Sequence, residues 1–266
     1  MSPSYFSVTT ATLALALFFR CPILLADGWG DLTGRIVAGK QSSPNDERQH
    51  YPELPGSVRI GVDGGLRNAI VCLPAHNGEL PALPVHPGYE LKERPIVKVV
   101  ISRGEMTPGS IVCTSRSIIE FVSDEDRLLA LAYTHGGKDY RSDESNLLQT
   151  GEAMRVPRHL VSAVDPNLNG AILVRDEPYC ATTDEEGRFR IRNLPSGNWT
   201  FVIWHAKGGR MHFGGYLRDL RFADQEVEVD EIGQFQVQIE ADKTTDLGEV
   251  RFELSELVEP GGIQHE

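Results

Sequence analysis

The sequence predicts an all-β protein built from two β-sandwiches, and three observations predict it. Short apolar runs alternate with polar residues at period two, as in Phe235-Gln236-Val237-Gln238-Ile239, a pattern that suits strands with one wet face. The runs are separated by Gly, Pro, Asp and Asn, the residues that turns require. Helical periodicity is scarce: only 124–133 and 144–150 read as a turn or two of helix. A length of 266 residues fits one large domain or two modest ones.

In the first half the predicted strands are 30–37, 57–61, 69–73, 96–102, 111–114 and 118–122. In the second half they are 170–175, 188–192, 199–205, 215–220, 234–240 and 248–254, shorter and more regularly spaced. The Pro- and polar-rich stretches 38–56 and 74–94 read as long surface loops, with His50, His76 and His86 as solvated loop residues. Composition shifts at Pro166-Asn167-Leu168-Asn169-Gly170, which places a domain boundary near residue 168. The expected organisation is therefore a sandwich over 27–167, a second over 168–254 and a flexible tail over 255–266.

Residues 9–19 are apolar for 11 positions before Arg20 interrupts them, and Asp27 opens the polar chain. A bilayer span needs about 20 apolar residues, so the segment reads as a signal peptide, with cleavage after Ala26. The expected mature protein is exported, to the periplasm or outside the cell, with no transmembrane segment. Its net charge is strongly negative (−12 over the whole chain), which repels phosphate backbones and argues against nucleic-acid binding. Removal of residues 1–26 leaves Cys72, Cys113 and Cys180: one disulfide at most, with the pair open. Cys72 lies in the apolar run Ala69-Ile70-Val71-Cys72-Leu73 and reads as a buried, inert thiol.

The strongest local signal is Asp184-Glu185-Glu186-Gly187-Arg188-Phe189-Arg190-Ile191, followed by Leu194-Pro195-Ser196-Gly197-Asn198-Trp199. Gly187 supplies a positive φ for a tight turn, Phe189 and Ile191 share a strand face, and Pro195-Ser196-Gly197 turns the chain into 199–203 as a hairpin. Asp184, Glu185 and Glu186 are turn residues in this reading, not catalytic carboxylates. The segment resembles the carboxypeptidase-regulatory-like (transthyretin-like) sandwich module. With Gly28-Trp29-Gly30-Asp31-Leu32-Thr33-Gly34-Arg35, Arg67-Asn68-Ala69-Ile70-Val71, 170–179, Trp204-His205, 215–219 and Asp246-Leu247-Gly248-Glu249, the chain resembles exported bacterial proteins similar to methylamine-utilisation proteins. In that group a cupredoxin-like half precedes the regulatory-like half.

The resemblance implies a copper site in the first half, with two imidazoles, a thiolate and a weak axial thioether. One His is expected in the turn at 122–129, and Cys, His and Met in the run before Gly170. The turn contains no His, and Ser162, Asp165 and Leu168 stand where Cys, His and Met are expected. Those residues cannot supply the soft donor set, so no metal or cofactor is expected, and the first half reads as a degenerate cupredoxin-like sandwich. The competing reading is a copper electron-transfer protein with atypical ligands, His135, His159 and a cysteine. A third is a carbohydrate-binding module using Trp204 or Trp29.

His205 and His212, with Met211 between, are the remaining His cluster, and His205 reads as a structural residue. Alternation sends Trp199 to one strand face and Trp204 to the other, so the two with Tyr216 make no flat sugar platform. The chain contains no GxSxG elbow, HExxH, P-loop or GxGxxG after a strand, and no CxxC. The sequence thus predicts no catalytic, cofactor-binding or metal-binding residues. It predicts a non-enzymatic binding or structural protein, its partner an unknown envelope protein or polysaccharide.

Overall fold

The computed structural model describes residues 28–39, 58–61, 63–76, 78–89, 94–125, 128–165, 168–206, 214–223 and 226–257. The fold is all-β. The expected signal peptide, His50, Met211, His212 and residues 258–266 lie outside the described residues.

The strands, in chain order, are β1 Trp29–Ala38, β2 Ile70–Cys72, β3 Ile96–Ser102, β4 Glu105–Thr107, β5 Ser110–Cys113 and β6 Ile118–Ser123. Next come β7 Leu131–His135, β8 Lys138–Arg141, β9 Leu147–Gln149, β10 Arg158–Ser162, β11 Asn169–Val174 and β12 Cys180–Thr182. The last six are β13 Arg188–Pro195, β14 Gly197–His205, β15 Gly215–Tyr216, β16 Arg221–Phe222, β17 Phe235–Ile239 and β18 Thr244–Phe252. They form four sheets. A terminal sandwich packs β13-β1-β18-β16 against β12-β2-β14-β15, with β17 added to β14. A central sandwich packs β5-β11-β10-β7-β8 against β4-β3-β6-β9.

Strand pairing does not follow the expected division at residues 167/168. β1 runs parallel to β18 and antiparallel to β13, and β2 pairs with β12 and β14, so the first two strands belong with the last seven. β11, expected to open the second sandwich, instead pairs with β5 and β10 in the central one. The central sandwich is an insertion between β2 and β12. Local composition cannot report this, because pairing of β1 with β18 joins the two ends of the described chain.

Parity builds both cores. In β13 Phe189 and Ile191 face inward with Leu194, and in β17 Phe235, Val237 and Ile239 do so, between exposed Arg and Gln. β2 is buried on both faces: Val71 joins the terminal core, while Ile70 and Cys72 join the central core with Val202 and Trp204 of β14. The two sandwiches therefore share a seam at the β2–β14 sheet.

Four expectations need correction. Residues 131–135, which overlap the segment 124–133 read as helical, and 147–149, within 144–150, are β7 and β9. Leu131 and Tyr133 alternate with Ala132 and Thr134, and Gly136 and Gly137, at φ 58° and 74°, make the tight turn into β8. β13 and β14 are not a hairpin. The turn at Ser196 carries the chain from one sheet to the facing one, so both strands send apolar side chains into the same core. The tail expectation fails at its start, since Leu254–Leu257 is a 3₁₀ turn whose Leu257 is buried in the terminal core. Expected strand 57–61 reduces to an isolated bridge between Ile60 and Leu66.

Asp31 fixes the β1–β13 register where the ladder bulges between Gly30 and Leu32. One carboxylate oxygen accepts from Arg190 Nε at 3.1 Å and Nη2 at 2.5 Å; the other accepts from the backbone N of Asn193 at 3.0 Å. Burial alone raises the carboxyl's pKa, but these donors outweigh it and hold it below the ordinary 3.8. Replacing Asp31 with Ala is expected to cost about 1–2 kcal/mol at pH 7, chiefly through the stranded Asn193 N–H. Because the folded pKa is depressed, the stabilisation is full above 3.8 and fades as pH falls through the lower folded value. Urea unfolding of both proteins at pH 7 and pH 3 should show the gap narrowing on acidification.

Candidate functional site

The segments that the resemblance would place around copper do meet. β10 ends at Ser162, beside the chain that leaves the 122–129 turn. Ser162 Oγ donates to Leu129 O at 2.6 Å and accepts from the backbone N of Val164 at 3.2 Å and of Asp165 at 3.1 Å. Ala163 N donates to Ala130 O at 3.0 Å, Ser162 N to Leu168 O at 3.1 Å, and Leu168 N to Asp165 O at 3.0 Å. Leu168 is buried in the central core. Where a soft-donor cradle would sit, the chain has a hydroxyl-capped connection with an aliphatic plug.

The structure separates His135 from His159. In the antiparallel β7–β10 pair Val161 lies opposite Ala132 and Ser162 opposite Leu131. His159 therefore shares the Val161–Ala132 face, whereas His135 shares the Leu131–Ser162 face, and one metal ion cannot take both. His159 Nε2 accepts from Gly214 N at 3.0 Å, and its ring lies tilted against Trp204, 6.2 Å between centroids. His205 is buried with Nε2 3.2 Å from Arg67 O, a structural contact. Among the described residues no three His, Cys, Asp or Glu side chains converge for a metal.

The aromatic candidates also resolve. Trp204 is buried in the central core, while Trp199 packs on the terminal core and donates from Nε1 to Pro195 O at 2.6 Å, on opposite faces as parity predicts. Trp29 is half-buried and meets the edge of His86, ring centroids 4.9 Å apart. His86 is thus not a merely solvated loop residue: it lies between Trp29 and Tyr89, and its backbone N donates to Tyr179 Oη at 3.2 Å. His76 is exposed, as expected. At the acidic turn, Asp184 Oδ1 accepts from the N–H groups of Glu186 (3.0 Å) and Arg188 (2.8 Å), with Gly187 at φ 78°, so the turn reading holds.

The group of reactive side chains that the structure assembles lies in the seam. Cys72 of β2 is directly opposite Cys180 of β12 in an antiparallel pair. Arg175, just beyond β11, is buried beside them and donates from Nη2 to Leu73 O. Its Nη1 lies 2.9 Å from Glu177 Oε1, and Glu177 is buried as well. Arg175 Nε has no hydrogen-bond partner among the described residues. Tyr216 of β15, half-buried, has its hydroxyl pKa raised first by burial and then by Cys72, which places it at the same cluster.

The electrostatics distinguish the three thiols. A hydrogen bond from the Cys180 thiol is the largest influence on Cys72; against burial, and with the charge of Arg175, it holds the Cys72 pKa below the ordinary 9.0. The same hydrogen bond, with burial, pushes Cys180 well above it. The two thiols therefore titrate as a coupled pair in which Cys72 gives up its proton before Cys180 does. Cys113 of β5 is buried on the opposite face of β11, and burial pushes its thiol up to about 12. Cys180 is partly exposed and lines a cleft of about 970 Å³ whose other wall includes Cys113, Ser115 and Arg116.

The apolar run around Cys72 predicts an inert thiol, and the sequence does not choose a cysteine pair. The available signal was Arg175 at the end of the apolar run 170–174, where strand parity puts it on the face of Ala171 and Leu173.

No protein-family model matches this chain, and no curated protein matches it. Among solved structures it is similar to an amicyanin mutant in the reduced state, a cupredoxin, at 12% identity over 41% of this chain and 99% of that chain. The TM-score of 0.24 is too low for the likeness to carry an argument. No helix among the described residues is long and apolar enough to cross a membrane.

Replacing Arg175 with Met strands a buried Glu177 and is expected to cost about 3–5 kcal/mol in urea unfolding. Adding Glu177→Leu removes the orphaned charge and should recover most of that loss, because the pair's cost is mainly that of leaving one partner alone.

Proposed function

We propose that this chain is an exported, non-catalytic β-sandwich protein with a binding or structural role at the cell envelope or outside the cell. Its partner would be an envelope protein or a polysaccharide. The observation that carries the reading is the end of β10. The positions where the resemblance implies copper ligands hold Ser162, whose hydroxyl is committed to three backbone partners, and Leu168, which fills the core. Neither residue type supplies the thiolate and thioether of a blue-copper centre. The apolar stretch at 9–19 and the polar opening at Asp27 support export.

The atypical-ligand reading loses its basis with His135 and His159 on opposite faces of their sheet. The carbohydrate reading loses Trp204 to burial, and Trp29 is covered edge-on by His86.

Two measurements test the proposal. Copper loading of residues 27–266, followed by metal analysis and a visible spectrum, should give no stoichiometric copper and no intense blue charge-transfer band. One copper per chain with that band overturns it. Amino-terminal sequencing of the chain recovered from expressing cells should begin at Asp27, in the periplasm or medium; an uncleaved chain in the cytoplasm overturns export.

A further inference from the structure

We propose that Cys72 and Cys180 are a redox-active dithiol, closing to a cross-strand disulfide in the seam by exchange with small disulfides that reach Cys180 through the cleft. The inference is independent of export and of the copper question, since it rests on the seam around β2, β12 and the segment that joins β11 to β12.

Geometry comes first. Directly opposed residues of an antiparallel pair have Cα atoms about 4.5–5.5 Å apart, within the span a disulfide bridges. Cys72 and Cys180 are so opposed, with the buried Arg175 beside both. Cys113 cannot compete: it sits in register with Val174 of β11, on the face turned from Arg175, with its sulfur 3.9 Å from Leu173 O. Access comes second. Cys180 lines the cleft and is partly exposed, whereas Cys72 is 2% exposed. One thiol faces the reagent and the other is held behind it.

Charge comes third. A buried guanidinium lies beside the pair, ion-paired with Glu177, and its charge favours the deprotonated form of Cys72. The charged and titratable groups facing the pair are Arg175, Glu177 and Tyr216. Of these Arg175 alone is cationic, and it stabilises the reduced, singly protonated pair.

The exchange balances as follows. From the singly deprotonated pair, the Cys180 sulfur attacks one sulfur of a disulfide RSSR while its proton passes to the Cys72 sulfur. A Cys180–S–S–R bond forms, the RS–SR bond breaks and RS⁻ leaves. The Cys72 sulfur then attacks Cys180 Sγ, displacing the second RS⁻, which takes the Cys72 proton. The two cysteines lose two electrons, RSSR gains them, and the single proton ends on RSH. Closure pins β12 to β2 and removes the thiolate charge beside Arg175.

The test uses the reduced wild-type protein with bis(2-hydroxyethyl) disulfide, quenched by acid, alkylated with N-ethylmaleimide under denaturing conditions and mapped by peptide mass spectrometry. The expected result is a Cys72–Cys180 link with Cys113 alkylated. Both thiols remaining alkylatable, or a link to Cys113, overturns the proposal. Cys72→Ser should accumulate one mercaptoethanol adduct per chain, on Cys180, because no resolving sulfur remains; absence of that adduct in a folded variant overturns it. Cys113→Ser should close like wild type. As a positioning residue, Arg175 is read by pH: Arg175→Lys should keep the alkaline midpoint of closure rate near that of wild type, and Arg175→Met with Glu177→Leu should raise it. An unchanged midpoint in the double variant removes Arg175 from the mechanism.

Discussion

The two-faced burial of β2 is the constraint on which the rest of the structure depends. Three residues, Ile70, Val71 and Cys72, have essentially no contact with solvent, and they feed two different cores. A slip of one residue would exchange the faces, sending Val71 into the central core and Ile70 and Cys72 into the terminal one. Such a slip would also break the pairing of β2 with β12 on one edge and β14 on the other, and with it the sheet that both sandwiches use as a wall. The insertion of the whole central sandwich between β2 and β12 is tolerable because both ends of the insertion return to neighbouring strands of that wall. The ends of an inserted module must lie close together, and the β2–β12 pairing brings them there.

A seam of this kind is normally apolar, and the buried Arg175–Glu177 pair is out of character with it. The pair is weak evidence for stability, since two desolvated charges seldom improve on well-packed hydrocarbon. Its placement has a structural logic. Arg175 leaves β11 of the central sandwich, donates to Leu73 O at the end of β2 in the terminal one, and draws Glu177 in from the following turn. A guanidinium presents its donors in a fixed fork, so it specifies relative position where apolar packing alone would allow sliding. Along the same path the chain reaches Cys180 opposite Cys72.

The periodic parts of the fold were legible. Residues 96–102 are β3 as read, and 188–192 and 234–240 lie on β13 and β17, because each alternates strongly enough for one face to be assigned from sequence. β7 and β9 were not, since Leu128-Leu129 and Leu131 mimic helical spacing and the deciding signal is the Gly136-Gly137 turn downstream. β12 was invisible: Cys-Ala-Thr has no apolar pattern and is a strand only because β2 lies beside it. The hairpin read at 184–203 had correct turns and correct faces but the wrong partner, because parity reports which face is buried and says nothing of which sheet a strand joins. The candidate site was lost for the same reason. Each member of the Cys72, Arg175, Glu177 and Cys180 group is unremarkable in its own segment, and only long-range register makes them neighbours.

β11 divides the thiol chemistry of the chain. Its Ile172 and Val174 side chains and those of Ile111 and Cys113 on β5 face one way, where burial pushes the Cys113 thiol up to about 12. Ala171, Leu173 and Arg175 face the other way, toward β2, where the Arg175 charge helps hold the Cys72 pKa below its ordinary value. A thiol's reactivity follows its thiolate fraction and access to the reagent, and both differ across this single strand. The end of β10, where resemblance would put the chemistry, has neither thiol nor imidazole at the matching positions, and its polar atoms are spent on closing a connection. Among the described cysteines, the one that combines partial exposure with a neighbouring guanidinium is Cys180, at the seam.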